Sequence, residues 1–242
     1  MTKENRITDK VCLITGGTKG IGLGIAHALL AKGAKVIITG RSKENTQKVV
    51  DQLLKKYPDK VIGAGADVRI YEDQQRAIKE AVVKWGKVDV AIANAGVGHF
   101  ESIEDLSINQ WKDVIDINLT GAFHTVKAAV EELKKSEGYF ISIASLAGTN
   151  FFAKGSAYNA SKFGLVGFTQ AVMLDLRKYG VKVSTVMPGS VATYFNDHIP
   201  SEQDAWKIQP EDIGQIVVDL LQMHPRTLPS KVEVRPSIPG GK

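Results

Sequence analysis

The chain has 242 residues, 43% hydrophobic and 24% charged, with a formal net charge of +5 and a mean hydropathy of −0.08. No apolar stretch approaches the roughly 18 residues of a membrane span, no signal-peptide pattern is present in residues 1–10, and the single cysteine, Cys12, excludes an intramolecular disulfide. Because the basic residues are dispersed and the histidines show no metal-ligand spacing, we expect a cytoplasmic protein that binds no nucleic acid, no membrane and no metal.

The first predicted elements form a strand, a turn, a helix and a second strand. Residues 11–15 are a continuous apolar run, typical of a strand buried on both faces. A glycine-rich turn over 16–22 follows at once, then apolar residues at helical spacing until Gly33, and then a second apolar strand over 35–39. Glycines let a pyrophosphate approach the backbone closely, and a helix N-terminus offers free N–H groups. The turn therefore predicts a phosphate site.

Strands and helices alternate along the rest of the chain. Further strands are predicted over 61–65, 88–93, 139–143, 182–187 and 231–235. Such alternation is typical of a parallel sheet, here of about seven strands, with helices on both faces. No linker or repeat divides the chain, so we expect a single domain over 1–242. Ligands of such folds bind at the carboxyl ends of the strands.

Tyr158 and Lys162 lie four residues apart in a predicted helix. This spacing places their Cβ atoms about 5–6 Å apart on one face. A nearby ammonium stabilises phenolate, so we expect the pKa of Tyr158 to fall from its reference value of about 10. Such a tyrosine can donate a proton to a carbonyl or take one from an alcohol. The spacing alone also fits a solvated helix face, and the glycine turn favours the catalytic interpretation.

The two motifs, Thr15-Gly16-x-x-x-Gly20-x-Gly22 and Tyr158-x-x-x-Lys162, together resemble those of the short-chain dehydrogenase/reductase family. The resemblance runs from about Lys10 to about Gln222, and the glycine spacing differs from the common G-x-G-x-x-G fingerprint. It implies an α/β, single-domain, Rossmann-like doubly wound parallel sheet. It also implies reversible hydride transfer between a nicotinamide cofactor and a carbonyl or alcohol group.

The resemblance implies a catalytic tetrad of Asn118, Ser145, Tyr158 and Lys162. Tyr158 would protonate the carbonyl oxygen, Ser145 would orient it, Lys162 would hold the nicotinamide ribose, and Asn118 would order a water beside Lys162. Ser142 is a rival to Ser145, and Asn118 could instead only satisfy backbone groups. The implied cofactor contacts are Thr15, Gly16, Thr18, Lys19, Gly20, Ile21, Gly22, Arg41, Ser42, Asp67, Val68, Asn94, Ala95, Gly96, Tyr158, Lys162, Pro188, Gly189, Val191 and Thr193.

The turn after the second strand predicts the cofactor. In this fold an acid at that turn binds the ribose 2′-OH of NAD, and a base accommodates the 2′-phosphate of NADP. The turn contains no acid, and Arg41 can grip a phosphate with its planar fork. Lys19 adds a second positive charge. We therefore expect NADP(H), although Arg41 could also be a solvated turn residue.

The substrate is predicted only by class. The family covers its substrate with a loop, here about 193–207, and an apolar pocket could be walled by Phe100, Phe151, Phe152, Tyr194, Phe195 and Trp206. We expect NADPH-dependent reduction of a ketone or aldehyde with an apolar body. One alternative is a 3-oxoacyl-carrier-protein reductase, although Leu174 replaces the arginine that those enzymes use to bind the carrier. Others are a non-catalytic NADP(H)-binding sensor or scaffold and a nucleotide-sugar epimerase or dehydratase.

Members of the family form dimers or tetramers, so the resemblance implies a homodimer or homotetramer. The implied interfaces are the helices around 102–135 and 156–179 and the C-terminal segment from about 211 to 242.

Overall fold

The structure, a computed structural model, describes residues 7–238, so both ends of the expected domain lie outside the described residues. Seven strands form one parallel sheet in the order β3-β2-β1-β4-β5-β6-β7, which confirms the predicted fold class. The predicted strands are correct to within two residues at each end. They are β1 (Val11–Ile14), β2 (Lys35–Gly40), β3 (Val61–Gly65), β4 (Val90–Ala93), β5 (Tyr139–Ile143), β6 (Lys182–Pro188) and β7 (Lys231–Val234).

Helices cover both faces of the sheet. They are α1 (Gly20–Ala31), α2 (Lys43–Lys56), α3 (Tyr71–Trp85), α4 (Ile108–Ile115), α5 (Gly121–Ser136), α6 (Ser156–Leu176) and α7 (Pro210–Gln222). Side chains of α1, α2 and α7 pack on one face, and those of α3, α5 and α6 pack on the other. Among these helices within residues 7–238, none has the length and apolar composition that crossing a bilayer requires.

The central strands are buried on both faces, as their apolar runs predict. In β1, Cys12 and Ile14 belong to the core beneath α1, whereas Val11 and Leu13 belong to the core beneath α5. The chain runs outward from β1 through β2 to β3 and then returns to the other side of β1 with β4. This reversal of direction opens a crevice at the carboxyl ends of β1 and β4, the usual ligand position in such sheets.

The helical region predicted over 102–135 is divided in two. Residues 102–107 form turns and loop, and a capping box sets the start of α4: the Gln110 amide donates to Ser107 Oγ (3.2 Å) and the Ser107 amide donates to Gln110 Oε1 (2.9 Å). Between α4 and α5 lies a π-helical turn over Asp116–Thr120. Such turns occur frequently at functional sites, and this one contains Asn118.

Candidate active site

A cleft of about 1340 Å³ opens at the carboxyl ends of the strands. It is lined by most of the residues predicted to bind a cofactor or to catalyse, which come from segments distant in sequence. The exceptions are Thr15, Gly22, Ser42 and Asn118, which do not line it. Their contacts place them behind the cleft wall or at a helix cap, as described below.

The glycine turn after β1 requires glycine at three positions. Gly16 and Gly20 have positive φ angles of 64° and 54°, a region that side chains with a Cβ rarely adopt. At Gly22, a Cβ atom would lie 2.4 Å from the Gly16 carbonyl oxygen and 2.5 Å from Asn94 Nδ2. The turn therefore leads directly into the N-terminus of α1 with its backbone open to the cleft. This backbone cradle fits the pyrophosphate of a dinucleotide.

Thr15 and Asn94 hold this turn in place. Asn94 Nδ2 donates to the carbonyl oxygens of Thr15 (2.9 Å) and Gly16 (3.1 Å). The Thr15 hydroxyl accepts from the amides of Asn94 (3.0 Å) and Ala95 (3.2 Å). These hydrogen bonds hold the segment Asn94-Ala95-Gly96, which follows β4, against the glycine turn after β1. Thr15 and the Asn94 amide thus act on the turn, and Thr15 has no exposed surface with which to contact a ligand.

Two exposed cations flank the glycine turn. Arg41, after β2, and Lys19, before α1, both line the cleft. Neither side chain takes part in an ion pair within the described part of the chain. Ser42 instead caps α2, since its hydroxyl accepts from the Asn45 amide at 3.1 Å. The positive charges of Arg41 and Lys19 are therefore available to a ligand phosphate.

Asp67, one of the implied cofactor contacts, already has a partner. Arg69 Nη2 lies 2.6 Å from Asp67 Oδ2, and this pairing lowers the pKa of the Asp67 carboxyl. Arg69 also reaches Asp113 (3.3 Å), which in turn lies 3.3 Å from His99 Nε2. This chain of charged groups, with Asp67 and His99 as its two ends, runs along the cleft wall. Sequence patterns did not predict this network, because its members lie in three separate segments.

Tyr158, Lys162 and Ser145 meet at the centre of the cleft. Lys162 Nζ lies 5.7 Å from the centroid of the Tyr158 ring and donates to the Ile143 carbonyl oxygen at 3.1 Å. The Ser145 hydroxyl accepts from the Ala147 amide at 3.1 Å and forms a hydrogen bond with the Tyr158 phenol. The rival Ser142 is fully buried in the core, where its hydroxyl accepts from Thr169 Oγ1 at 3.0 Å. Ser145 is thus the serine that faces the phenol.

The expected lowering of the Tyr158 pKa is wrong in direction. Burial raises the pKa of the phenol, and the interaction with the Ser145 hydroxyl opposes that rise. Burial also lowers the pKa of the Lys162 amine to about 8, and no carboxylate offsets that effect. The four-residue spacing predicted the proximity of the two groups correctly. It could not predict that the protein encloses both, and a low dielectric favours the neutral form of each.

Asn118 lies behind the catalytic groups. Its Oδ1 accepts from the Val97 amide (2.8 Å), and its Nδ2 donates to the Val97 carbonyl (2.9 Å) and to Ser161 Oγ (3.0 Å). These bonds connect the π-helical turn to the segment after Gly96 and to α6. Asn118 therefore positions the wall beside Lys162. A role in ordering a water stays a prediction.

Aromatic rings enclose Tyr158 on the substrate side. Phe100 and Phe195 lie with centroids 5.4 and 5.6 Å from the tyrosine ring, and Phe152 lies 5.9 Å from Phe100. Tyr194 and Trp206 also line the cleft, whereas Phe151 is 86% exposed and lies outside it. Four of the six aromatic residues predicted for the pocket therefore line it, and a fifth, Phe100, packs against Tyr158.

The predicted substrate loop over 193–207 is closed at its base. Val191 pairs with Ile208, and the Ala192 amide donates to the Ile208 carbonyl at 2.9 Å. Within the loop, Asp204 pairs with Lys207 (2.5 Å) and His198 (2.6 Å), and these partners lower the pKa of its carboxyl strongly. Ion pairs between its own residues thus stabilise the loop, which lies over the aromatic end of the cleft.

Arg235 and Pro236, which line the cleft just after β7, were also missed. The available signal was their position at the carboxyl end of a predicted strand. No group of three or more potential metal ligands was found when residues 7–238 were searched.

Known proteins combine the same features. A family model described as short chain dehydrogenase matches residues 10–204. An uncharacterized oxidoreductase of Staphylococcus aureus (strain MRSA252) is 34% identical over 231 residues, which cover 95% of this chain and 98% of that protein. A trans-4-hydroxycyclohexanecarboxylate dehydrogenase of Sinomonas cyclohexanicum is 35% identical over 195 residues, which cover 78% of this chain and 75% of that enzyme.

A solved structure extends the comparison. An alcohol dehydrogenase from the archaeon Thermococcus sibiricus, complexed with 5-hydroxy-NADP, superposes with a TM-score of 0.88 at 28% identity. The match covers 94% of this chain and 97% of that one.

Fold, glycine turn and tyrosine–lysine pair define a dinucleotide-dependent oxidoreductase. More particularly, the chain belongs to the short-chain dehydrogenase/reductase family. It is an oxidoreductase of alcohol and carbonyl groups that uses a nicotinamide cofactor and small-molecule substrates.

Proposed function

We propose that this protein is an NADPH-dependent reductase of a ketone or aldehyde with an apolar body. The observation that carries the proposal is the grouping of Tyr158, Ser145 and Lys162 within a cleft that continues to the glycine turn and to Arg41. The first three groups suit a carbonyl oxygen that gains a proton. The last two suit a dinucleotide with an additional phosphate.

The residues around the adenosine end support NADP(H) over NAD(H). No acid stands at the end of β2, where an acid would repel a 2′-phosphate. Arg41 and Lys19 line the cleft there without ion-pair partners among residues 7–238. The solved relative that binds 5-hydroxy-NADP supports the same choice. The glycine turn would hold the pyrophosphate, and Lys162 would hold the nicotinamide ribose.

The bound nicotinamide supplies the hydride, and the protein supplies a proton and its orientation. Tyr158 gives its phenolic proton to the carbonyl oxygen. Ser145, whose Oγ accepts from the Ala147 amide, donates a hydrogen bond to the same oxygen when the substrate is bound. The charge of Lys162 compensates the phenolate that remains. Phe100 and Phe195 exclude water from the phenol.

Cyclic ketones are the first substrates to test. The enclosure by Phe100, Phe152 and Phe195 suits an apolar body, and the Sinomonas relative is named for trans-4-hydroxycyclohexanecarboxylate, a ring alcohol. The surface gives less support to a carrier-protein substrate. Lys134 and Lys135, the candidate contacts for an acidic carrier, are paired with Glu131 (2.9 Å) and Glu132 (2.6 Å).

The proposal is tested by measuring the oxidation of NADPH and, in parallel, of NADH in the presence of different carbonyl compounds. The panel contains aryl, aliphatic and cyclic ketones, aldehydes, sugars and a β-ketoacyl thioester. We expect turnover of one ketone or aldehyde class with NADPH. Tyr158→Phe should lose about 100-fold or more of that turnover and keep NADPH binding. Tyr179→Phe, an exposed tyrosine beside Lys134, is the matched control. Near-normal turnover by Tyr158→Phe would contradict the assigned role.

We also propose a homodimer or homotetramer. Exposed apolar side chains on α4, α5 and α6, namely Trp111, Phe123, Phe163 and Leu174, support an interface on those helices. The implied C-terminal interface includes residues 239–242, which lie outside the described residues. The cytoplasmic location stays a prediction.

A further inference from the structure

We propose that Arg235 binds a carboxylate at the far end of the substrate, so that keto acids are preferred over neutral ketones. This inference rests on the proposed reductase function, because it names the substrate class of the same cleft. It depends on where Arg235 lies, on which other cations of the cleft are already neutralised, and on the weakness of its own ion pair.

Arg235 lies where the end of β7 meets the end of β6, near the segment that follows Ser145. The Gly189 amide donates to the Val234 carbonyl at 2.8 Å, which fixes the end of β7 beside the end of β6. Pro236 Cδ and Leu146 Cδ1 lie 3.4 and 3.1 Å from the point where a Gly189 Cβ would stand. Arg235 is between Val234 and Pro236 and lines the cleft, and Leu146 follows Ser145. Arg235 therefore lines the cleft from a position beside Gly189 and the segment that follows Ser145.

The other basic side chains of this end of the cleft have close internal partners. Lys207 and His198 share the Asp204 carboxylate at 2.5 and 2.6 Å. His99 lies 3.3 Å from Asp113. Arg41 and Lys19 lie at the opposite end, beside the glycine turn. Among the described residues, Arg235 is thus the cation of the substrate end that is best able to accept an external anion.

Arg235 has a weak partner of its own. Its Nη2 lies 3.0 Å from Glu233 Oε2, and the two side chains are 56% and 45% exposed. An ion pair this exposed contributes about 0–1 kcal/mol. The contact uses one N–H group of a guanidinium that has five. Glu233 does not line the cleft, so Arg235 can bind a ligand from inside the cleft while Glu233 remains outside.

A carboxylate fits better than a phosphate. A guanidinium matches the planar, bidentate geometry of a carboxylate, and one partly compensated positive charge suits a monoanion. The aromatic rings beside Tyr158 meanwhile suit an apolar segment between the carbonyl and the acid. The substrate class is thus a keto acid whose carbonyl and carboxylate are separated by a ring or a short hydrocarbon.

The test compares matched acids and esters: 4-oxocyclohexanecarboxylate and 3-acetylbenzoate, each with its methyl ester, with NADPH. For the wild type we expect a higher kcat/KM for the acids. Arg235→Gln should reduce kcat/KM for the acids by about 10- to 100-fold and leave the esters unchanged. Arg235→Lys should restore part of the loss, and Glu233→Gln should improve the acids. Arg226→Gln, which removes an exposed charge outside the cleft, should change neither.

The outcomes separate the two proposals. Turnover of esters with an acid-to-ester ratio that Arg235→Gln leaves unchanged would keep the reductase function and overturn the carboxylate site. If neither acids nor esters are reduced, the reductase function fails for this class. Titration calorimetry of 4-oxocyclohexanecarboxylate into wild type and Arg235→Gln then decides the site: binding lost in the variant supports it, and equal binding or none in the wild type overturns it.

Discussion

Replacing Lys162 by methionine should stabilise the protein at neutral pH and inactivate it. Lys162 is only 4% exposed, and among residues 7–238 its ammonium has one hydrogen-bond acceptor, the Ile143 carbonyl, and no carboxylate partner. Burial accordingly lowers the pKa of the amine from 10.5 to about 8. Methionine keeps a similar length and a good helix propensity within α6. The substitution therefore removes the buried charge with little other change.

The pKa shift gives the magnitude. One pKa unit is worth about 1.4 kcal/mol, so the buried ammonium costs the native state about 3 kcal/mol at neutral pH. The unfolded chain keeps its proton up to a higher pH than the native chain, so this penalty is fully present below pH 8 and disappears as the pH approaches 10.5. Methionine leaves the Ile143 carbonyl without a donor, at a cost of about 1–2 kcal/mol.

The assay is urea unfolding of both proteins, without cofactor, at several pH values. At about pH 6.5 we expect Lys162→Met to be more stable than the wild type by about 1–2 kcal/mol. By about pH 9.5 this difference in the free energy of unfolding should have changed by about 2 kcal/mol in favour of the wild type. Lys79→Met, an exposed position on α3, is the control and should show no such pH dependence. Turnover by Lys162→Met should be lost at every pH.

Two results would refute the reasoning. The first is a stability difference between wild type and Lys162→Met that does not change with pH. It would mean that the Lys162 amine has the same pKa in the native and the unfolded state. A variant as active as the wild type would mean that the buried charge has no catalytic purpose.

Two further predictions concern the cofactor and the assembly. Arg41→Asp should weaken NADPH binding by about tenfold or more, because the 2′-phosphate would meet a carboxylate that repels it instead of a guanidinium that pairs with it. NADH should then bind with equal or better affinity. Equal affinities of the intact protein for both cofactors would contradict the assignment. Phe123→Glu should place a charge in the proposed interface on α5, so that sedimentation equilibrium gives a smaller mass than for the wild type. The wild type should sediment as a dimer or tetramer, and a monomeric wild type would contradict the proposal.

Much of the fold could be predicted because it depends on local patterns. The apolar runs predicted the strands, and the glycine spacing predicted a turn in which Gly16 and Gly20 take positive φ angles. The order of motifs also predicted the edge of the sheet at which they meet. Each of these inferences needs only neighbouring residues and the rule that ligands bind at the carboxyl ends of parallel strands.

The missed features depend on contacts between distant segments. Arg235 lines the cleft because β7 pairs with β6. The π-helical turn around Asn118 likewise depends on bonds to Val97, which is 21 residues away. No periodicity in one segment encodes such contacts. Burial, the cause of both pKa shifts at the centre of the cleft, arises in the same way.

These opposed pKa shifts explain how the pair can work. Burial makes a phenolate alone costly at Tyr158 and an ammonium alone costly at Lys162. The two charges together attract each other in the same low-dielectric surroundings. The phenolate is therefore formed at little cost only beside the charged lysine and only when a carbonyl takes the proton. Because its pKa is raised, Tyr158 holds its proton at neutral pH, as a proton donor requires.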